Sequence, residues 1–351
     1  YFDGAYYPKG GARSIPRAFI RAIKRHGGEI RLGAPVAKIL VEGTRRRRRA
    51  IGVELADGTF ASADYVVSNA DPHVTFDQLV GQQHLSRQLQ KRLARTEYSL
   101  SALSLFCATD LDLESMGFDS GNYWYSRTAR VEDIYDLAKR DTPLESVELP
   151  GIFLTITTLK DRSKRKDGLH TIECFSLVSY ELFKKWKDSH SGDRPADYEM
   201  LKDTLSQMMF RRMDELIPGL SKRIVFSELG TPLTNAHYIR ATRGSLYGTA
   251  KRWNQIGPWS YPVRTEIQGL FMCGASTLAH GVAGATETGI TAATKIAKCR
   301  AQDFLSEEGQ HLTILPCDDL NAWPARTLTD AVPCSRSRGE SSRYSEDIEI
   351  S

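Results

Sequence analysis

The chain has 351 residues, 41% of them hydrophobic, which is enough for a substantial core arranged as two or three compact units. Its 47 basic and 43 acidic residues nearly balance, and the arginine run 45–49 alone accounts for the basic excess, so a spread, nucleic-acid-binding charge pattern is excluded. No stretch reaches the roughly eighteen apolar residues of a membrane span, and no signal peptide opens the sequence. Six cysteines (Cys107, Cys174, Cys273, Cys299, Cys317, Cys334) form neither a C-x-x-C pair nor a zinc-like grouping with histidine, so no metal is expected and a reducing compartment is.

In chain order, "SIPRAFIRAIKRHGG" predicts a helix, with Ser14 as N-cap, Pro16 in the first turn, Ile15, Phe19, Ala22 and Ile23 on one face, and Gly27 at its end. "EIRLGAPVAKILVEG" reads as strand, turn, strand. "AIGVELADGTFASADYVVSN" alternates up to an Asp57-Gly58 hairpin turn and returns. The arginine run between them reads as a solvated hairpin loop, with lipid headgroup contact as the alternative. Asp71 and Pro72 then cap and open a helix through about Leu79.

Residues from about 84 to 230 mix helices ("LSRQLQKRLAR", "VEDIYDLAKR") with β-rich runs ("SLSALSLFCATDL", "GIFLTITTL", "HTIECFSLVSY"), as a second domain would. In "NYWYS", Tyr123 and Tyr125 should share one face and Trp124 take the other. A helix over "DYEMLKDTLSQMMFRRMDELIPGL" stacks Tyr198, Leu201, Leu205, Met208, Met209, Met213 and Leu216, either as core or as an adaptable wall for a greasy ligand. Beyond about Leu305 the chain is polar and too poor in apolar residues to fold.

"GLFMCGASTLAHGVAGATETGITAA" is the most informative stretch. It predicts a buried parallel strand, a release at Gly274 and a helix on which Gly281, Ala285, Gly289 and Ala293 stack, flanked by Gly284 and Ala292. Glycine in a helix costs about 1 kcal/mol against alanine, so these positions need a reason, either tight helix-on-sheet packing or a ligand at the helix start. A nucleophile elbow at Gly274-Ala275-Ser276 with His280 as base is excluded, because Leu278 stands where the motif needs glycine.

These residues resemble the FAD-dependent phytoene desaturase, carotene isomerase and retinol saturase family of the flavin amine-oxidase-like superfamily. "YYPKGGARSIPRAFIRAIKRHGGEIRLGAPVAKILVEG" with "AIGVELADGTFASADYVVSNADP" is similar to its middle block, "TPLTNAHYIRATRGSLYG" to the segment before the flavin motif, and the glycine-rich stretch to that motif. The resemblance implies an α/β fold: an incomplete Rossmann-like FAD-binding domain from residues 1–75 and 231–304, a substrate domain of mixed β-sheet and helix inserted at 76–230, and a disordered tail at 305–351.

It implies FAD as cofactor, with Val36 beside the adenine, Gly274 and Ala275 near the ribityl and pyrophosphate, and the amides of Val282 and Ala283, between Gly281 and Gly284, at the flavin N1 and O2 edge. Ala275 stands where many superfamily members have an acidic residue, so the contact with the ribityl hydroxyls would come from Ser276, Thr277 or elsewhere. No G-x-G-x-x-G occurs in the 351 residues. Arg243, Gly244, Tyr247 and Trp259, just before the flavin strand, are the candidates for the pocket over the flavin face, or else form a loop packed on the sheet, and His280 is the candidate proton carrier. The implied partner is an apolar polyene exchanging hydride with the flavin, in a cytoplasmic or peripheral membrane protein. The alternatives are a fragment acting through protein contacts and an amine-oxidising flavoenzyme.

Overall fold

The computed structural model of the chain describes residues 5–44, 47–139, 149, 151–303 and 313–324. Helix α1 (Ser14–Arg25) forms where expected and ends at Gly27, whose φ of +77° suits glycine. Ser14 is not its cap: Arg13 precedes it, and the Ser14 hydroxyl instead donates to the Gly11 carbonyl at 2.7 Å. No residue of α1 is buried, and Phe19 on its apolar face is 56% exposed.

Residues 29–31 do not form the expected strand. Pairing starts at β1 (Val36–Thr44), antiparallel to β2 (Arg47–Leu55), which turns into β3 (Phe60–Ser62). Gly58 at φ +83°, with the Asp57 carboxylate accepting the Thr59 N–H at 2.8 Å, makes the predicted turn. Arg45 and Arg46 lie outside the described residues, but the rest of the arginine run is paired strand rather than solvated loop. Arg48 is mostly buried, donates to the His84 carbonyl at 2.5 Å and lies 3.7 Å from Glu266.

After β4 (Val66–Ser68), Asp71 accepts the Val74 N–H at 3.1 Å and opens a wide helical turn over His73–Val80. Ser86 caps α2 (Arg87–Arg95) through the Leu89 N–H. The inserted unit contains β5 (Ser101–Thr109), β6 (Asn122–Ser126), α3 (Val131–Lys139), β7 (Gly151–Ile156), the short α4 (Thr157–Lys160), β8 (His170–Val178), the long α5 (Ala196–Leu216) and β9 (Ile224–Gly230). Its strands form one antiparallel sheet in the order β6-β7-β8-β5-β9.

One face of that sheet, with Leu103, Leu105, Leu154, Ile156 and Ile172, packs against Leu201, Leu205, Met209 and Met213 of α5. The methionine stripe is therefore core. Period-2 strands and a helix with its apolar residues three to four apart meet along their buried faces, and Leu205→Ala here would cost about 2–5 kcal/mol.

The chain returns through α6 (Pro232–Tyr238), capped by Thr231 with Thr234 in reciprocal hydrogen bonds, to β10 (Leu270–Met272) and α7 (Gly281–Ala297). β10 pairs in parallel with β4, so residues 66–68 and 270–272 adjoin across the inserted unit. Leu270 and Met272 face a core with Ile39, Ala50, Phe76 and Tyr261, while Phe271 faces Ala292 of α7. The architecture is α/β, with one parallel pair beside two antiparallel sheets; among the described residues, a full parallel Rossmann sheet is not seen. Residues 313–324, inside the tail expected to be unfolded, include a buried Trp323 whose indole N–H donates to the Pro316 carbonyl at 2.7 Å. The remainder of that tail is outside the described residues.

Two anchors set the arrangement. The Asp71 carboxylate also accepts from the Thr242 N–H at 2.7 Å, the Thr242 hydroxyl at 3.0 Å and the Tyr98 hydroxyl at 3.2 Å. Thr288, fully buried on α7, accepts the Gly274 N–H at 2.8 Å. Asp71→Ala is expected to lower unfolding free energy by about 2–3 kcal/mol, and Thr288→Val by about 1–3 kcal/mol, since each leaves donors without an acceptor. Urea denaturation of the purified variants measures both, and a loss below about 0.5 kcal/mol would refute the assignment of either as an anchor.

Candidate active site

Residues 97–100 and 246–250 run antiparallel without belonging to either sheet. Ser99 N–H donates to Gly248 O at 2.9 Å, Leu246 N–H to Leu100 O at 3.0 Å and Ala250 N–H to Glu97 O at 2.9 Å. This ladder is one side of a cavity of about 850 Å³. The opposite side is the face of the antiparallel sheet turned away from α5. There Trp124, Phe153 and Phe175, side by side on β6, β7 and β8, form an aromatic wall with centroid separations of 4.8, 5.7 and 4.8 Å. Val131, Ile134 and Tyr135 of α3 line it as well.

The side chains of "NYWYS" divide as alternation predicts. Tyr123 and Tyr125 pack on the core, and Trp124, 72% exposed, stands in the cavity. Phe153 and Phe175 were not singled out in the sequence, yet a signal exists: each is a large aromatic at the strand parity opposite the core positions Ile152, Leu154, Ile172 and Cys174. The methionines of α5 lie on the sheet's other side, which corrects their reading as a ligand wall.

Tyr247 and His280 close the cavity beside the start of α7, their rings 4.7 Å apart. Gly281 opens α7 at φ +81°, no side chain caps the first turn, and a Cβ at Gly281 would meet nothing within 4 Å. Val282 is 69% exposed, and Ala283 is exposed too. The first-turn amides and the positive end of the helix dipole thus border open space, which fits the ring edge of a flavin.

Gly284 has a different reason: its Cβ would sit 2.6 Å from that of Ala279, so the turn before α7 crosses it closely. Gly289 would meet nothing within 4 Å, so packing within the described residues does not explain it. The buried stripe of α7 is Gly284, Thr288 and Ala292, and the small-residue row Gly281, Ala285, Gly289, Ala293 faces the uncovered side.

Gly274 releases β10 at φ +91°, and a Cβ there would collide with the Asn69 side chain. The Ala275 carbonyl accepts from Lys251 Nζ at 2.7 Å. Ser276 and Thr277 are buried and do not offer their hydroxyls to the open side. Ser276 Oγ accepts the Thr249 N–H at 3.3 Å, and Thr277 Oγ1 donates to Gly274 O at 2.7 Å. Val36, exposed at the start of β1, lies outside the cavity.

Of the expected substrate residues, Tyr247 lines the main cavity, and Arg243 lines an adjoining one of about 310 Å³, where it is ion-paired to Glu181. Gly244 is buried at φ +57°, and any side chain there would strike the Pro232 backbone, so it shapes the loop instead. Trp259 is exposed elsewhere, its carbonyl accepting from Arg92 at 2.6 Å, and is not part of the cavity. Burial raises the Tyr247 pKa and lowers that of Lys251.

One grouping was not legible in the sequence: Asp112, Glu114 and His170 bring ligand-type atoms within 4.8 Å of one another. Glu114 is held by Arg162 at 2.5 Å and Arg165 at 2.9 Å, and Asp112 by the Ser115 hydroxyl at 2.6 Å. The protein's own cations therefore neutralise Glu114, and Asp112 is occupied by Ser115.

Residues 1–126 match the family described as Flavin containing amine oxidoreductase. All-trans-retinol 13,14-reductase of Danio rerio is 30% identical over 306 residues, covering 84% of this chain and 50% of that protein. Prolycopene isomerase, chloroplastic, of Arabidopsis thaliana is 28% identical over 300 residues, covering 85% and 46%. The chain spans about half the length of the curated relatives it matches. An oxidoreductase from Methanosarcina mazei shares the fold, with TM-score 0.53 and 19% identity over 81% of this chain and 55% of that one.

The arrangement of sheets and helices is thus shared with that oxidoreductase, and it is the family match of residues 1–126 that places the chain among flavin-dependent oxidoreductases. The chain belongs to the flavin amine-oxidase superfamily and is related within it to the retinol reductases and prolycopene isomerases.

Replacing Phe175, in the middle of the aromatic wall, by Arg is expected to weaken binding of an apolar small molecule by about tenfold or more while leaving the α5 core intact. Fluorescence titration with an apolar dye measures the first effect and thermal melting the second; unchanged dye affinity would show that the wall is not used.

Proposed function

We propose that this chain forms the substrate cavity and one edge of the flavin site of an FAD-dependent oxidoreductase of the carotenoid desaturase, saturase and isomerase type, acting on a long, apolar, polyene-like substrate. The observation that carries the reading is a cavity walled by Trp124, Phe153 and Phe175 that ends at Tyr247 and His280, beside the uncapped first turn of α7. FAD, when bound, supplies the hydride chemistry that makes, saturates or isomerises a C=C bond.

The chain's own residues do the rest. The amides of Val282 and Ala283, with the helix dipole behind them, stabilise negative charge at the ring edge. The aromatic wall aligns an extended apolar chain and excludes water from it. His280, held against the Tyr247 ring, is the residue assigned to hold a proton at an imidazole nitrogen.

An amine substrate is disfavoured by charge. Lys139, Lys251 and Arg252 line the cavity, against one carboxylate, Glu97, which already pairs with Arg252 at 3.0 Å. A protonated amine would enter a positive field. Attachment to a membrane surface suits a lipid-soluble substrate; among the described residues, no helix is long and apolar enough to cross a membrane.

Expressed from its complete reading frame, the protein is expected to show flavin absorbance at about 450 nm that a polyene bleaches anaerobically where it is desaturated, or restores after prior chemical reduction of the flavin where it is saturated, and that putrescine leaves unaffected. Bleaching by putrescine alone would favour the amine-oxidising reading, and a colourless protein that takes up no FAD would favour action through protein contacts.

A further inference from the structure

We propose that the ligand of this cavity is an acid: an apolar chain ending in a carboxylate that pairs with the ammonium of Lys251. The inference rests on the cavity being the substrate site and adds the chemistry of the substrate's polar end.

Lys251 follows directly on the 246–250 ladder and lines the cavity, and its Nζ donates to the Ala275 carbonyl at 2.7 Å. Among the described residues, no carboxylate pairs with it. The two other cations of the lining have theirs: Arg252 meets Glu97 at 3.0 Å, and Lys139 lies 3.6 Å from Asp136.

A half-buried ammonium that keeps one neutral acceptor has lost hydration which a single carbonyl does not replace. Its pKa is accordingly pulled down by burial, with no acidic neighbour among the described residues to restore it. The charge a ligand would have to bring is therefore negative, and the space it would have to fill is bounded by Trp124, Phe153 and Phe175.

A hydrocarbon or an alcohol fills the aromatic part and leaves Lys251 without a counter-ion. A pyrophosphate, which the resemblance puts near Ala275, supplies charge at Lys251 but leaves the aromatic wall of the cavity uncovered. A carboxylate on a long apolar body satisfies both ends at once, through a charge-assisted hydrogen bond at one and buried apolar surface at the other. Such a substrate would differ at its head group from the alcohol in the retinol reductases' name.

The test is tryptophan-fluorescence titration of the full chain with retinoic acid, retinol and methyl retinoate, Trp124 in the wall serving as reporter. Wild type, Lys251→Met and Lys251→Arg are compared after their thermal melting has been checked. Wild type is expected to bind the acid about tenfold or more tighter than the alcohol or ester. Lys251→Met should abolish that preference by weakening the acid more than the alcohol, and Lys251→Arg should retain most of it.

Equal binding of acid and alcohol by wild type overturns the proposal, and this comparison needs no variant to fold. So does a preference that survives in Lys251→Met, and so does displacement of the bound acid by equimolar inorganic pyrophosphate, which would assign Lys251 to a phosphate group. If wild type binds none of the three retinoids, the cavity reading itself fails, and this inference with it.

Discussion

The Asp71 carboxylate is the point at which the two ends of the chain and the inserted unit are tied together. It takes the N–H of Val74 in its own turn, the hydroxyl of Tyr98 at the entrance to the inserted unit, and both donors of Thr242 on the returning segment. With Tyr98 and Thr242 held there, residues 97–100 and 246–250 zip into the ladder that sides the cavity. From the ladder, Thr249 reaches Ser276 and Lys251 reaches Ala275. The position of the β10–α7 turn against the aromatic sheet face therefore depends on one half-buried anion with four directed donors, an arrangement stronger than neutral hydrogen bonds and specific in geometry.

That arrangement explains why hidden and open glycines differ along one short segment. Gly274 and Gly284 are required by the protein's own close approaches, to Asn69 and Ala279 respectively. Among the described residues, Gly281 and Gly289 have nothing within reach of a Cβ and so no such internal reason, although the φ of +81° at Gly281 still favours glycine. The first turn of α7 thus combines a rigid inner side, locked by Thr288 on Gly274, with an outer side kept clear. Fixed dipoles facing a clear space are what electrostatic preorganisation needs, because nothing has to reorient when charge develops.

Much of this was legible in the residues. The helix at α1, the Asp57-Gly58 turn, the Asp71-Pro72 helix start, the three long strands of the inserted unit, the buried strand β10 and the glycine-led α7 all follow from local rules: period, capping and turn chemistry. The failures are equally physical. Residues 29–31 have strand-like alternation but no neighbouring strand to pair with among the described residues. The arginines of β2 look like a loop by charge, yet Arg48 finds the His84 carbonyl and Glu266, groups from distant parts of the chain. Ser276 and Thr277 look available by type, yet the turn uses their hydroxyls to bind its own backbone and Thr249.

The sequence by itself determined where backbone must bend, which stretches alternate with period two or repeat three to four residues apart, and that the segment around Gly274 and Gly281 resembles a flavin motif. Those properties are carried by neighbours along the chain, within one turn of helix or one pleat of strand. Only the tertiary structure decided that the sheet face bearing Trp124, Phe153 and Phe175 is the open one, that Trp259 lies away from it, and that among the described residues Lys251 meets a carbonyl and no carboxylate. These depend on which surfaces meet between segments that are not neighbours along the chain, 24 residues apart for Lys251 and Ala275 and about 200 apart for β4 and β10, and a strand's alternation names two faces without saying which one the helix will cover.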